Sequence, residues 1–414
     1  MLKPGKTILI LLLAFAGCAV PPQPVRGPRA LDTSTPPPAE PPPPVAWRPP
    51  AAYKPALTAT NSTARTAPPK PPPAVTPLPR PAPAPAIEPW TSLARWTRDN
   101  GFGPLRQTGP LPAPTYSFTT TNGTFLLHPN SLLATRNGLE FHLAFEPQIS
   151  NGLPYLHPLD LKKNLEPLAR PFPAITKSNR VIVIDPGHGG SLPGALSVVD
   201  GTPEKQYTLD WALRLAPLLA ANGWQVFLTR TNDVDLPLSN RVAFAEEHHA
   251  DLFISLHFNS AAPNQDQAGI ETYSLTPSGM PSTLTRGYDD DATLVFTNNA
   301  FDAENLQLAA TLHQALLPVA GIDRGLRHAR FLGVLRGQNR PAVLIEGGYL
   351  SNPEEAERIA DPAYRQELAE AVAQALNSGR EKPAPIADTR PAPPEKRPEA
   401  AAHNTNSPSD PSLH

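Results

Sequence analysis

Across residues 178–377, short runs of consecutive apolar residues alternate with longer segments in which apolar positions recur every third or fourth residue. Strands are expected at 181–184, 225–228, 252–256, 270–274, 331–335 and 342–345; apart from Ile270-Glu-Thr-Tyr-Ser274 these are mostly Val, Ile, Leu and Phe, as expected of strands buried on both faces. Helical periodicity separates them at 203–221, 238–248 and 303–317, and a last helix is expected at 362–376. Such alternation predicts an α/β domain built on a mainly parallel, six-stranded sheet flanked by helices. Residues 91–173 read differently. A short helix is expected near 92–100, strands near 115–120, 123–128 and 138–145, and a closing helix near 157–168, with Asn122-Gly123 and Asn137-Gly138 as turn signals. This pattern predicts a small α+β accessory module.

Composition changes the picture at both ends. Of 414 residues 57 are proline, and 25 of these lie between Pro21 and Trp90, with Ala, Thr and Ser between them. Such a stretch cannot bury enough apolar surface to offset chain entropy, so residues 18–90 are expected to be a disordered linker and 378–414 a disordered tail. In the extended polyproline form, at about 3.1 Å per residue, the linker would reach on the order of 200 Å. Lys3 and Lys6, followed by the apolar run 8–16, predict a signal segment over 1–17, too short for a spanning anchor. The charge balance, 35 basic against 37 acidic side chains, lacks the broad basic field that attracts phosphates, so no nucleic-acid partner is expected. The single cysteine, Cys18, excludes an intramolecular disulfide framework and a multi-thiolate metal site. Any metal must be held by imidazole and carboxylate.

Three of the apolar runs end in an ionisable side chain followed by loop-forming residues. Val181-Ile-Val-Ile184 leads into Asp185-Pro-Gly-His188-Gly-Gly190, Leu252-Phe-Ile-Ser-Leu256 into His257-Phe-Asn259, and Ala342-Val-Leu-Ile345 into Glu346-Gly-Gly348. Ligands bind beyond the carboxyl ends of strands in open α/β sheets, so His188, His257 and Glu346 are expected to meet at one cleft. Glu204, in the first turn of the 203–221 helix and one loop beyond His188, is placed to join them. Two histidines and a glutamate suit Zn²⁺ with a fourth position open to water, which distinguishes a catalytic from a structural site. Asp185 either orients a ligand or stabilises the turn before Pro186. Asn259 either contacts substrate or closes the loop after His257.

Val183-Ile-Asp-Pro-Gly-His-Gly-Gly190, Glu204, Leu228-Thr-Arg230, Arg241, Ile254-Ser-Leu-His257-Phe-Asn259 and Leu344-Ile-Glu346-Gly-Gly-Tyr-Leu-Ser-Asn352 together resemble, in order, the motifs of the zinc-dependent N-acetylmuramoyl-L-alanine amidases. The resemblance spans residues 180–376. It implies that His188, Glu204 and His257 are zinc ligands, that Glu346 is the catalytic glutamate, and that the sheet is mixed. It further implies hydrolysis of the peptidoglycan amide between the lactyl group of N-acetylmuramic acid and L-alanine, in wall remodelling or cell separation. Arg230 and Arg241 match family arginines and either bind substrate or brace a loop. The competing readings are a peptidoglycan-binding scaffold without turnover and a zinc carboxypeptidase acting on the stem peptide. For the accessory module, wall binding and a plain folded spacer remain open.

Phe15-Ala-Gly-Cys18 resembles the lipobox of bacterial lipoproteins, which implies acylation of Cys18, a lipid anchor in the membrane and a place on the periplasmic side of the outer membrane. Without acylation the protein would be secreted to the periplasm. Between the strand ending near Ser274 and the helix beginning near Ala303 lies a long insertion containing Asp289-Asp290-Asp291. Loops of this length are often functional. Some family members carry here a helix that covers the zinc until a partner displaces it, so residues 277–299 either gate the cleft, under the control of an activator protein, or form a surface loop that shapes it.

Overall fold

The computed structural model describes residues 90–109, 114–173 and 180–377. The expected signal segment 1–17, Cys18, the linker before Trp90 and the tail 378–414 lie outside the described residues. None of the described helices is long and apolar enough to cross a membrane.

The chain begins with β1 (Thr91–Ser92) and α1 (Leu93–Asp99), followed by β2 (Arg106–Thr108), β3 (Thr115–Thr120), β4 (Gly123–Leu127), β5 (Leu133–Arg136), β6 (Leu139–His142), β7 (Gln148–Ser150) and β8 (Leu153–Leu156). Strict alternation puts Tyr116 and Phe118 of β3 inside, where Phe118 stacks on Phe125 of β4 with ring centroids 4.9 Å apart. A helical stretch follows, α2 (Pro158–Asp160) and α3 (Glu166–Leu168), joined by one wider turn over Leu161–Leu165. Beyond residue 180 come β9 (Arg180–Pro186), α4 (Glu204–Ala221), β10 (Trp224–Leu228), α5 (Leu238–Glu247), β11 (Leu252–Asn259), β12 (Ile270–Ser274), α6 (Asp302–Ala320), β13 (Asp323–His328), α7 (Gly333–Arg336), β14 (Ala342–Tyr349), α8 (Pro353–Ala360) and α9 (Pro362–Asn377).

In this second part six strands lie in the order β10-β9-β11-β14-β12-β13. The first four are mutually parallel, β12 runs antiparallel to β14, and β13 is parallel to β12, giving the mixed sheet that was expected. Successive residues of the central strands point to opposite faces. Ile182 and Ile184 pack into a core shared with Trp211 of α4, Leu312 of α6 and Val372 of α9, whereas Val183 joins Ala245 of α5 and Val334 of α7 on the other side. Burial on both faces explains why these strands read as continuous apolar runs.

The sixth strand is not the one predicted. Residues 331–335 form no strand; Val334 and Leu335 instead lie buried in α7, because a short apolar run satisfies helix and strand burial alike. The strand is the polar segment Asp323–His328, which β12 and β6 hold on either side. That pairing carries the sheet past the expected boundary between module and larger domain. Through Leu326 against Phe141 it continues as β13-β6-β5-β4-β3-β2, eleven strands in all. The seam is polar at its ends, where the Glu140 N–H donates to Asp323 at 2.9 Å and Arg327 Nη1 to His142 Nε2 at 2.8 Å.

Candidate active site

The three parallel strands β9, β11 and β14 stop at the same edge, and the side chains that follow them come together. His188 lies two residues past β9, in the left-handed region with φ +61°, a conformation costly outside glycine and common where function fixes the backbone. Two buried arginines hold this turn. Arg241 donates from Nη1 to Asp185 (2.7 Å) and to the Pro186 carbonyl (2.9 Å), and from Nη2 to the His188 carbonyl (2.7 Å). Arg230 donates to the carbonyls of Pro186 (3.0 Å), Gly187 (2.8 Å) and Lys205 (2.8 Å). Asp185 is fully used by Arg241, Thr229 (2.6 Å) and Ser255 (2.8 Å). Asp185, Arg230 and Arg241 are buried, and their hydrogen bonds run to one another's neighbourhood and to the backbone of the turn before His188, with Arg241 alone reaching the His188 carbonyl.

Glu204 opens α4, and its carboxylate is fixed before any ligand arrives. The backbone N–H groups of Ala195 (2.9 Å) and Phe258 (3.0 Å) donate to it, one to each oxygen. His188 Nε2 lies 3.1 Å from one of these oxygens and His257 Nδ1 2.8 Å from the other. Burial works against the charge of Glu204, but the hydrogen bonds and charge of the two imidazoles outweigh it and hold the carboxyl well below the usual range.

The ligand atoms of His188, Glu204 and His257 lie within 4.8 Å of one another, the one such cluster among the described residues. Their surroundings fit a metal. Gly187 has no side chain because a Cβ would stand 2.6 Å from the His257 ring nitrogen Nδ1, and a Cβ on Gly194, at φ +73°, would stand 2.5 Å from Glu204. Two nitrogens and one oxygen on rigid elements match the donor preference of Zn²⁺, and three protein ligands leave a position for water.

Glu346 completes the site. It is paired in register with His257 on the neighbouring strand, so the two side chains share one face of the sheet. Its Oε2 is buried without a hydrogen-bond partner, which is rare for a carboxylate and points to a group reserved for a ligand. Burial pushes its carboxyl up to about 8, Glu204 and Glu271 adding to the effect and His257 and Arg286 opposing it.

Asn259, at the end of β11, is not one of this cluster and lines a neighbouring cavity of about 390 Å³. It donates to Glu271 (2.9 Å) and accepts from Arg286 (3.0 Å). The charged lining residues Glu271, Arg286, Arg324 and Arg327 carry no signal in the sequence, because none sits at the end of an apolar run. The insertion between β12 and α6 carries no helix between Leu275 and Phe296. It is pinned at Asp290, which pairs with Arg330 and accepts from Ser282 (2.6 Å), and it lines the cavity with Thr283, Leu284 and Arg286.

Comparison with known proteins finds relatives for this part of the chain. A family model described as N-acetylmuramoyl-L-alanine amidase matches residues 182–378. The N-acetylmuramoyl-L-alanine amidase AmiA of Escherichia coli K12 is 30% identical over 241 residues, covering 53% of this chain and 82% of the relative. AmiA of Salmonella typhimurium is 30% identical over 232 residues, covering 51% and 79%. Among solved structures, the amidase AmiC2 of Nostoc punctiforme is 32% identical, covers 48% of this chain and 96% of its own, and superposes with a TM-score of 0.40.

Proposed function

This chain belongs to the N-acetylmuramoyl-L-alanine amidase family, and from that premise we propose that it is a zinc-dependent wall enzyme. In this reading it cuts the amide between the lactyl group of N-acetylmuramic acid and L-alanine, with His188, Glu204 and His257 as metal ligands and Glu346 as proton carrier. The observation that carries the reading is the buried, unpartnered oxygen of Glu346 standing opposite His257. Zn²⁺ bound by the three ligands supplies a Lewis acid for the carbonyl and acidifies water. Everything else falls to the protein. An amide is a weak electrophile with a poor leaving group, so water must lose a proton as it attacks and the departing nitrogen must gain one. Glu346, whose burial raises its proton affinity towards neutrality, suits both steps: it takes the proton as a base and returns it to the alanine nitrogen as an acid. Asp185, Arg241 and Arg230 fix the backbone that aims His188, and the Ala195 and Phe258 amides fix Glu204, so little reorganisation is left for the moment of reaction.

The test is mass analysis of purified peptidoglycan after digestion by the zinc-loaded protein. Free stem peptides beginning with L-alanine are expected. Loss of terminal D-alanine would instead make the protein a carboxypeptidase, and an undigested wall would make it a binding protein.

We further place the enzyme on the periplasmic face of the outer membrane, held by acyl chains on Cys18, with the proline-rich stretch as a spacer towards the wall it remodels during growth or cell separation. The Phe15-Ala-Gly-Cys18 motif supports this placement. Full-length protein should fractionate with the membrane and Cys18→Ser with the soluble periplasm; parent protein already in the soluble fraction would remove the anchor.

A further inference from the structure

We propose that the cavity beside the catalytic centre is a subsite for a carboxylate of the stem peptide, carried two or three residues beyond the cleaved bond and read chiefly by Arg286 and Arg324. The inference rests on the amidase reading and deepens it.

Register fixes where the cavity lies. Glu346 of β14 is paired with His257 of β11 on one side and with Glu271 of β12 on the other. Paired side chains share a face, so His257, Glu346 and Glu271 form a row across the sheet. With strands roughly 4.8 Å apart, Glu271 stands about 5 Å from the proton carrier and about 10 Å from the metal ligand. An extended peptide advances about 3.3 Å per residue, so a chain held at the cleavage position and lying along this row brings its second or third residue over Glu271.

The chemistry waiting there is cationic. Arg286, Arg324 and Arg327 line the cavity, and Glu271 is the one acid among its lining residues. Glu271 is already saturated: it accepts from Asn259 (2.9 Å), Tyr273 (2.8 Å) and Arg324 Nε (3.0 Å), with Arg327 at 3.6 Å. It neutralises part of the cluster from below and has no capacity left for a substrate cation. Arg327 is committed to the seam through His142. Arg286 is not committed. Its guanidinium donates to the side-chain Oδ1 of Asn259 and meets the face of Phe331, pairs with no carboxylate among the described residues, and lies exposed at the cavity mouth. The insertion around it is tied down by the Asp290–Arg330 pair and by Tyr288 stacked on Phe331 at 5.5 Å, so this arginine is presented from a fixed position. Guanidinium groups with spare N–H donors in a half-enclosed cavity select a carboxylate over its neutral amide.

The experiment compares two synthetic muramoyl peptides that differ at the second residue after the cleaved bond, one bearing a free carboxylate and one the carboxamide, and a second pair that differs at the third residue. The zinc-loaded parent is expected to prefer the carboxylate by about 10- to 100-fold in kcat/KM within one of the pairs, mostly through KM. In Arg286→Gln that preference should fall below about 3-fold, and Arg286→Lys should keep an intermediate preference; Arg324→Gln should act in the same direction. Thermal melts matching the parent show that the variants are folded. Equal rates on carboxylate and carboxamide in both pairs, or a preference that survives Arg286→Gln, would overturn the subsite. Failure of the parent to cleave any of the peptides would count against the amidase reading itself.

Discussion

Glu346→Gln is expected to bind zinc at the parent's stoichiometry while its kcat falls by about 10²- to 10⁴-fold. The substitution keeps the volume of a buried side chain and leaves His188, Glu204 and His257 untouched, so both the fold and the metal cluster persist. What disappears is the ability to take and return a proton. The amide group of glutamine can neither accept the water's proton nor deliver one to the alanine nitrogen. His188→Ala should behave in the opposite way and lose metal first. Direct metal analysis of both proteins, alongside single-turnover cleavage of peptidoglycan, separates the roles. A Glu346→Gln protein that comes out of purification short of zinc would identify Glu346 as a ligand and the proposed division of labour as mistaken.

Asp185→Ala should be the most damaging change outside the reacting groups. Asp185 and Arg241 form an ion pair in which each side chain is about 3% exposed or less, and Asp185 also accepts from Thr229 and Ser255. Removing the acid strands a buried guanidinium and two hydroxyl groups, which costs about 3–5 kcal/mol. For a folded unit of this size that lowers the midpoint of thermal unfolding by roughly 10 °C. Replacing both partners, as in Asp185→Leu with Arg241→Met, should recover much of the stability, since no unpaired charge remains. It should not recover zinc affinity, because the His188 carbonyl has lost its clamp. Melting curves and zinc titrations of the single and double variants provide the check. A single variant within 1 kcal/mol of the parent would show that the brace is dispensable.

The glutamate and the brace differ in how visible they are in the sequence. Glu346, like His188 and His257, follows an apolar run, and the rule that ligands gather beyond strand carboxyl ends was enough to bring the three together before any contact was known. Glu204 was legible from its place in the first turn of α4. Its two backbone donors were not, since Ala195 lies in the loop before α4 and Phe258 in β11, and both contribute N–H groups that every residue possesses. Asp185, Arg230 and Arg241 were visible as residues, but their burial and hydrogen-bond partners were not, and on those depends whether the arginines bind substrate or brace a loop and whether Asp185 orients a ligand or stabilises the turn.

By itself, then, the sequence determined the alternation of buried strands and amphipathic helices, the four candidate site residues and the edge of the sheet on which they meet. These follow from local periodicity and strand ends, which report how each segment is buried. Only the tertiary structure decided that Asp323–His328 is a strand while residues 331–335 are not, that one sheet runs from β10 through to β2, and that Glu271, Arg286, Arg324 and Arg327 surround one cavity. Those features depend on pairing between segments far apart in the chain, and neither hydrophobic spacing nor residue type within a single segment encodes its distant partner.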